Sequence, residues 1–247
     1  MREDTLFSGK AGAYAAARPA YAEAALDLIA ALVPAGTAAD VGAGTGIFSR
    51  QLALRGYEVY AVEPNGEMRG RAAELLAPFP RVKVLAGRDT DTGLPDGSAD
   101  LVAAAQAFHW FDGPGFRREC RRILRGEGRV FLLWNDRAPG WEFDEAWAAV
   151  SRRFCPGFTG FSGGLREDDE KIAAFFENGY QKSVFQNPMT WSREQFLSRA
   201  RSSSYALAET DPGYREWQKA LAAAFDEAAP EGVLRVPQRT VLYYGTM

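Results

Sequence analysis

A chain of 247 residues, 47% hydrophobic and 25% charged, can bury a sizeable core, which excludes disorder as the starting assumption. Its net charge of −3 and pI near 5.4 exclude the overall basic field with which proteins track phosphate backbones. Two cysteines, Cys120 and Cys155, lack Cys or His neighbours at ligand spacing, so no disulfide framework and no metal site is expected.

Unpaired thiols fit a reducing, cytoplasmic setting. The charged start Met1-Arg2-Glu3-Asp4 leads into no long apolar run, so neither a signal peptide nor a membrane span is expected. After a segment rich in Gly, Ala, Tyr and Arg (Phe7 to Tyr21), an Ala-rich pattern predicts a helix from about Tyr21 to Val33, ended by Pro34-Ala-Gly36. Thr37 to Val41 reads as a strand running into Gly42-Ala-Gly44-Thr-Gly46, followed by a helix over Ile47 to Leu54. Tyr57 to Val62 is the second strand, Gly66 to Ala77 a helix and Arg81 to Leu85 the third strand. Asp100 to Ala105 is wholly apolar after its first residue, the pattern of a strand buried on both faces. A helix over Gly115 to Leu124 leads through Arg125-Gly-Glu-Gly128 into a fifth strand, Arg129 to Trp134. This alternation implies right-handed βαβ units and a parallel sheet covered on both sides.

Beyond Trp141 the pattern loosens. Trp141 to Phe154 reads as helix, Cys155 to Gly164 as loop and Ser183 to Gln186 as a short strand. Helices are expected over Ser192 to Ser203 and Pro212 to Ala224, with Ser192 and Asp211 as their starting residues, and Gln238 to Tyr244 closes the chain as β structure. Arg117, Arg118, Arg121, Arg122 and Arg125 recur at helical spacing, which reads as a solvated helix face rather than an RNA patch. Neither a nucleic-acid nor a membrane partner is expected, and the chain reads as a monomer or homodimer.

The chemistry concentrates in Asp40-Val-Gly42-Ala43-Gly44-Thr-Gly46. Glycines at a strand-to-helix turn let a ligand approach the backbone, and the helix N-terminus behind them offers free N–H groups and a favourable dipole for an anionic group. Glu63 follows Gly42 by 21 residues and ends the next strand, where a carboxylate can accept from both hydroxyls of a ribose. A dinucleotide site would need a third glycine at position 47, which is Ile47, so the turn is shaped instead for a nucleoside with an amino-acid tail.

These residues, with Val62-Glu-Pro64-Asn-Gly-Glu-Met68, Leu94-Pro-Asp-Gly-Ser-Ala-Asp-Leu-Val102, Gln106-Ala-Phe-His-Trp-Phe111 and Phe7…Tyr14…Arg18-Pro19, resemble the class I S-adenosylmethionine-dependent methyltransferases over about residues 7–134. Within that family they are most similar to the small-molecule branch that contains trans-aconitate methyltransferase. The resemblance implies a Rossmann-like α/β fold: a seven-stranded, mostly parallel sheet with helices on both faces, an antiparallel last strand and a helical cap. One domain is expected, with an N-terminal lid segment at about 1–36, a cofactor-binding core at about 37–140, cap elements at about 141–235 and a closing strand at about 236–247.

It also implies roles. Asp40, Gly42, Ala43 and Gly44 would surround the methionine part of S-adenosylmethionine, Glu63 and Pro64 the ribose, and Met68 the adenine. Asp89, or alternatively Thr90 or Asp91, would meet the adenine amino group, and Gln106 ends the fourth strand at the crevice. Tyr14 and Arg18 would fold over the cofactor, with Arg18 also able to pair with an acidic acceptor. His109, the chain's single histidine, either orients or deprotonates the acceptor or anchors its loop by hydrogen bonds. Trp110 would wall the acceptor pocket, whereas Phe111 and Trp134 read as core. From the cap Tyr205 would face the acceptor, while the serine run beside it, with Arg201, reads as capping chemistry. Asn187-Pro-Met-Thr190 lies too far along to be the Asn-Pro motif of amino-directed nucleic-acid methyltransferases. The expected reaction is in-line methyl transfer, governed by positioning, to a small acceptor such as a carboxylic acid. The rival readings are a nicotinamide-dependent oxidoreductase, which Ile47 disfavours, and a non-catalytic S-adenosylmethionine-binding protein.

Overall fold

A computed structural model of the chain describes residues 19–161, 170–203 and 205–247. Its centre is a seven-stranded sheet in the order β3-β2-β1-β4-β5-β9-β6. The strands that carry the crevice are β1 (Thr37–Val41), β2 (Glu58–Val62), β3 (Val82–Leu85), β4 (Ala99–Ala105) and β5 (Leu124–Arg137), all parallel. The outer strand β6 is Gln181–Gln186, and β9 (Gln238–Thr246) is antiparallel to both β5 and β6, so it wedges between them. β7 (Met189–Ser192) and β8 (Val233–Val236) form a separate antiparallel pair.

Alternation along each strand explains the layers. Leu101 and Ala103 of β4 and Phe131 and Leu133 of β5 point to one face, where they bury against α1 (Glu23–Leu32) and α2 (Ile47–Leu54). Val102 and Ala104, with Val130, Leu132 and Trp134, point to the other, against α4 (Gly113–Ile123) and α6 (Glu170–Phe175). The helix α3 (Gly66–Leu76) packs Ala72 and Leu76 on Ala61 near the β3 edge. Burying both faces is what requires β1 to be solvent-free at every position.

A third apolar cluster stands apart from the sheet. It joins Phe143 and Trp147 of α5 (Glu142–Phe154), Phe196 of α7 (Arg193–Arg201), Trp217 and Phe225 of α8 (Tyr214–Ala228), and Trp191 and Leu234 of the β7–β8 pair. Within 141–235, therefore, α6 and β6 belong to the sheet layer, while α5, α7, α8, β7 and β8 make the cap cluster.

Three local expectations are corrected. Asp211 does not start α8: Asp211-Pro-Gly213 closes a turn, with Tyr214 N–H donating to Asp211 O at 3.2 Å and Gly213 at φ 84°, so the helix begins one turn later. The Asp211 carboxylate instead accepts from Ala208 N–H at 2.8 Å. Arg125 to Gly128 is not a free loop, because β5 already pairs at Leu124 with Ala99 before the register shifts to Leu101 and Arg129. The helix α6 and the β7–β8 pair were not expected at all. Ser192 does cap α7, in a reciprocal capping box with Gln195.

The arginine-rich face of α4 is held in ion pairs. Arg117 and Arg121 meet Glu177, Arg122 meets Glu119 and Asp96, and Arg125 meets Asp100. These arginines tie the helix to its neighbours. No helix among the described residues is long and apolar enough to cross a membrane.

Candidate functional site

The sheet's strand order reverses direction from β1, with β2 on one side and β4 on the other, and a crevice opens there at the carboxyl ends of the strands. β1 ends at Val41, and the turn to α2 passes through Gly42, Gly44 and Gly46 at φ 72°, 58° and 85°. The left-handed region is open to glycine without steric cost, which is why this turn can be so tight. The three glycines do different things. A Cβ on Gly42 would lie 2.6 Å from Ala107 Cβ and 3.0 Å from the Phe111 ring, so close packing beneath the turn demands it. On Gly46 it would meet Leu76 at 2.9 Å. On Gly44 it would meet nothing within 4 Å among the described residues, so the open side of the turn is the side a ligand can approach.

Glu63 ends β2 and is buried, with its carboxylate split between two backbone donors. Oε2 accepts from Gly44 N–H at 2.8 Å, and Oε1 accepts from Asn65 N–H at 2.8 Å. The acid therefore ties the glycine turn to the end of β2. Asn65 caps α3 by accepting from Glu67 and Met68 N–H, which buries Met68 beside the same edge. Pro64 is exposed, and its carbonyl, like that of Glu63, accepts from Arg69 Nη1.

Asp40 lies wholly buried beneath the turn. Burial is the main cause that raises its pKa to about 7; the Ser49 hydroxyl, donating to Oδ2 at 2.5 Å, opposes the rise and the nearby Glu63 charge adds to it. Oδ1 has no hydrogen-bond partner among the described residues. Asp40, Gly44 and Glu63 thus gather at the β1–α2 turn. Tyr21, Ala43, Thr45, Ile47 and Phe48 line the cleft around it.

On the β4 side, Gln106 takes a left-handed φ of 56°, a conformation seldom tolerated outside glycine, and donates from Nε2 to Asn135 O at 2.7 Å. A 3₁₀ turn, Phe108–Trp110, follows. His109 Nδ1 accepts from Trp134 Nε1 at 3.4 Å, and its ring packs on Trp110 at 4.9 Å. Among the described residues Trp110 is 46% exposed while Trp134 is 3% exposed, so the first is the surface residue of the pair and the second is core. Phe111 packs on Phe108 and Phe116 under the glycine turn.

Other expected residues stand elsewhere. Asp89 sits in the Arg88–Asp91 turn and accepts from Asp112 N–H at 2.8 Å, at the start of α4. Thr90 lies against Gly115 of that helix. Tyr205 is half-buried in the cap against Phe158 at 4.8 Å, and burial raises its pKa. Tyr14 and Arg18 lie outside the described residues.

Sequence reasoning missed two features of this wall. Asn135 donates to Pro19 O and Ala20 O and accepts from Thr240 Oγ1 at 2.6 Å and Asn187 Nδ2 at 3.2 Å, while Thr240 Oγ1 accepts from Ala22 N–H. This knot fixes where the chain enters over the crevice. Asn135 follows the expected fifth strand, Arg129 to Trp134, just as Gln106 follows the fourth, and that position was the available signal. The other feature, Lys171, gave no signal: it reaches the Phe108–Phe111 turn from α6, over sixty residues away.

Residues 39–132 match a family described as methyltransferase domain. An uncharacterised methyltransferase of Mycobacterium tuberculosis is 40% identical over 139 residues, covering 55% of either chain. An uncharacterised methyltransferase-like protein of Schizosaccharomyces pombe is 37% identical over 128 residues, 50% of this chain and 49% of that one. The chain thus spans about half the length of the curated relatives it matches. Among solved structures, one described as a type II methyltransferase from Anaeromyxobacter dehalogenans superposes with a TM-score of 0.66 at 28% identity, covering 93% of this chain and 97% of that one. Another, described as a methyltransferase from an antibiotic biosynthesis pathway of Anabaena variabilis, gives a TM-score of 0.58 at 27% identity, covering 89% and 96%.

Proposed function

We propose, from the premise that this chain carries a class I S-adenosylmethionine-dependent methyltransferase domain, that it transfers a methyl group from that cofactor to a small organic acceptor. The observation that carries the proposal is Gly44, open on its Cβ side among the described residues and donating its N–H to the Glu63 carboxylate. When bound, S-adenosylmethionine supplies an electrophilic methyl group on a sulfonium.

The residues divide the work. The backbone of Gly42, Ala43 and Gly44 holds the amino-acid end of the cofactor, with buried Asp40 beneath it. Glu63 takes the ribose hydroxyls, Pro64 flanks them and Met68 borders the adenine. Asp89 is the acid placed for the adenine amino group, although it is engaged with Asp112 N–H. Gln106 borders the cofactor from the β4 side, and His109 stands at the acceptor side, with Trp110 as a wall. Arg18 and Tyr14 close over the cofactor, and Tyr205 contributes from the cap. The whole functions as one domain whose N-terminal segment and cap enclose the acceptor.

Rate enhancement comes mainly from holding the nucleophile in line with the methyl group in a site that excludes water. For a carboxylate acceptor the attacking oxygen is already ionised, so His109 orients it. For a phenol or amine His109 receives the proton. The Anabaena neighbour's description as an enzyme of antibiotic biosynthesis supports a small acceptor, and Arg18 supports an acidic one, as does resemblance to the branch that contains trans-aconitate methyltransferase.

The test is methyl transfer from labelled S-adenosylmethionine to a panel of small carboxylic acids, phenols and amines. Labelled ester from an acid, lost in His109→Ala but with cofactor binding retained, is the expected result. Transfer confined to protein or nucleic acid would overturn the small-acceptor reading.

A further inference from the structure

In the 3₁₀ turn that presents His109 and Trp110, Phe108 O already accepts from Phe111 N–H at 3.0 Å. That carbonyl and two others of the segment converge on one ammonium. Lys171 Nζ donates to Phe111 O at 2.7 Å, to Phe108 O at 3.0 Å and, more weakly, to His109 O at 3.4 Å. The same Nζ lies 4.9 Å above the Phe108 ring, whose centroid is in turn 4.8 Å from that of Phe175 on α6. The lysine's stem and its helix are thus seated in the sheet's core, and the charge is delivered to the loop from a rigid base.

We infer that Lys171 is the positioning residue of the acceptor side, clamping the Phe108–Phe111 turn so that His109 and Trp110 keep one orientation over the end of β4. Charge-assisted hydrogen bonds to carbonyls are shorter and stronger than neutral ones, and the turn has only three residues, so one cation governs its whole backbone. Within the turn, Trp110 N–H donates to Ala107 O and Phe111 N–H to Phe108 O, while Asp89 holds Asp112 N–H and Trp134 Nε1 meets the His109 ring. Lys171 adds a cation brought to the turn's carbonyls from a distant element. Its bonds to Phe108, His109 and Phe111 O place its effect on the acceptor half. That assignment of halves rests on the methyltransferase reading above, whereas the clamp itself does not.

Because the chain contains a single histidine, its imidazole gives one set of resonances, which report on this turn directly. The experiment compares wild type, Lys171→Met, which keeps the stem but removes the donors, and Lys171→Arg, which keeps the charge in a planar fork. In Lys171→Met the His109 ring signals should shift and broaden, and amide exchange at residues 108–112 should accelerate by roughly tenfold or more, with the rest of the spectrum preserved. Lys171→Arg should restore part of both. S-adenosylhomocysteine affinity, titrated in parallel, should stay within about twofold of wild type in both variants. With a competent acceptor from the panel, kcat should fall by roughly tenfold to a hundredfold in Lys171→Met. Unchanged His109 signals and exchange in a folded Lys171→Met protein would overturn the clamp. If Lys171→Met fails to fold, Lys171→Arg decides alone: a displaced His109 signal supports the clamp and an unmoved one overturns it. Absence of S-adenosylhomocysteine binding in wild type would overturn the cofactor reading instead.

Discussion

On the β1–β2 side of the crevice, every residue assigned to the cofactor's methionine and ribose lies between Asp40 and Met68, and the contacts that shape the site are largely backbone. The turn owes its form to Gly42, Gly44 and Gly46, and Glu63 binds the amides of Gly44 and Asn65. On the β4–β5 side, the Gln106–Phe111 segment is held by Asn135 and Lys171, with Pro19, Asn187 and Thr240 behind Asn135. In the proposed function the first wall meets features that every molecule of one cofactor shares, so a short stretch of glycines and one acid can suffice. The second, in that reading, is shaped to a particular acceptor, and its side chains are drawn from the whole chain. Substitutions should therefore separate the walls cleanly.

The largest effect is expected from the paired changes Gly42→Ala and Gly44→Ala. Both force alanine into a left-handed backbone, costing about 1–2 kcal/mol. Gly42→Ala adds a collision with Ala107 at 2.6 Å, and overpacking of that kind costs about 1–3 kcal/mol more. Thermal denaturation should thus show Gly42→Ala as the clearly less stable protein. Gly44→Ala should fold yet lose most of its S-adenosylmethionine affinity, because its methyl group occupies the ligand's side of the turn. Equal stability losses would contradict the division between a packing glycine and a binding glycine.

Next in size is Glu63→Ala. It removes charge-assisted bonds worth about 1.5–3 kcal/mol, which is roughly tenfold to more than a hundredfold in cofactor affinity by calorimetry. Unchanged affinity would remove Glu63 from the ribose.

Asp40→Asn sharpens the comparison through pH. Burial favours the protonated acid in the folded state, with a pKa of about 7, while the unfolded chain ionises near 3.8. The unfolded state therefore sheds its proton first, and the ligand-free wild type should lose stability as pH rises from about 4 to about 7. The loss is at most on the order of 4 kcal/mol. Asparagine keeps an acceptor for Ser49 and carries no charge, so the variant's stability advantage should grow across that window. Urea denaturation at pH 5 and pH 8 checks it, and parallel pH dependence in both proteins would contradict it.

The smallest effect is expected from the opposite wall. His109→Ala and Trp110→Ala should leave S-adenosylmethionine affinity within about twofold, since they lie beyond the cofactor's assigned contacts. A large loss in either would dissolve the two-wall picture.

The same contrast explains what the sequence disclosed. β1 and α2 have the bounds expected from the residues, because a short strand, a glycine turn and an amphipathic helix follow one another in sequence. The antiparallel placement of β9 beside β5 followed from family resemblance, and its position between β5 and β6 came only from the structure. The β7–β8 pair escaped notice because Met189–Ser192 and Val233–Val236 are four-residue strands whose pairing is long-range. Asp211 misled because an Asp before a Pro is a good helix start, but Gly213 turns the sequence into a tight turn first. Lys171 was invisible for a plainer reason: an isolated lysine carries no pattern, and its three carbonyl partners are backbone atoms that no side-chain motif encodes.

The central claim is that the glycine turn and Glu63 form a site for S-adenosylmethionine. Calorimetric titration of the wild-type chain with S-adenosylmethionine, S-adenosylhomocysteine and NAD, side by side, tests it most directly. The account predicts that both adenosyl compounds bind at one site and that NAD does not. Binding of NAD alone would contradict it.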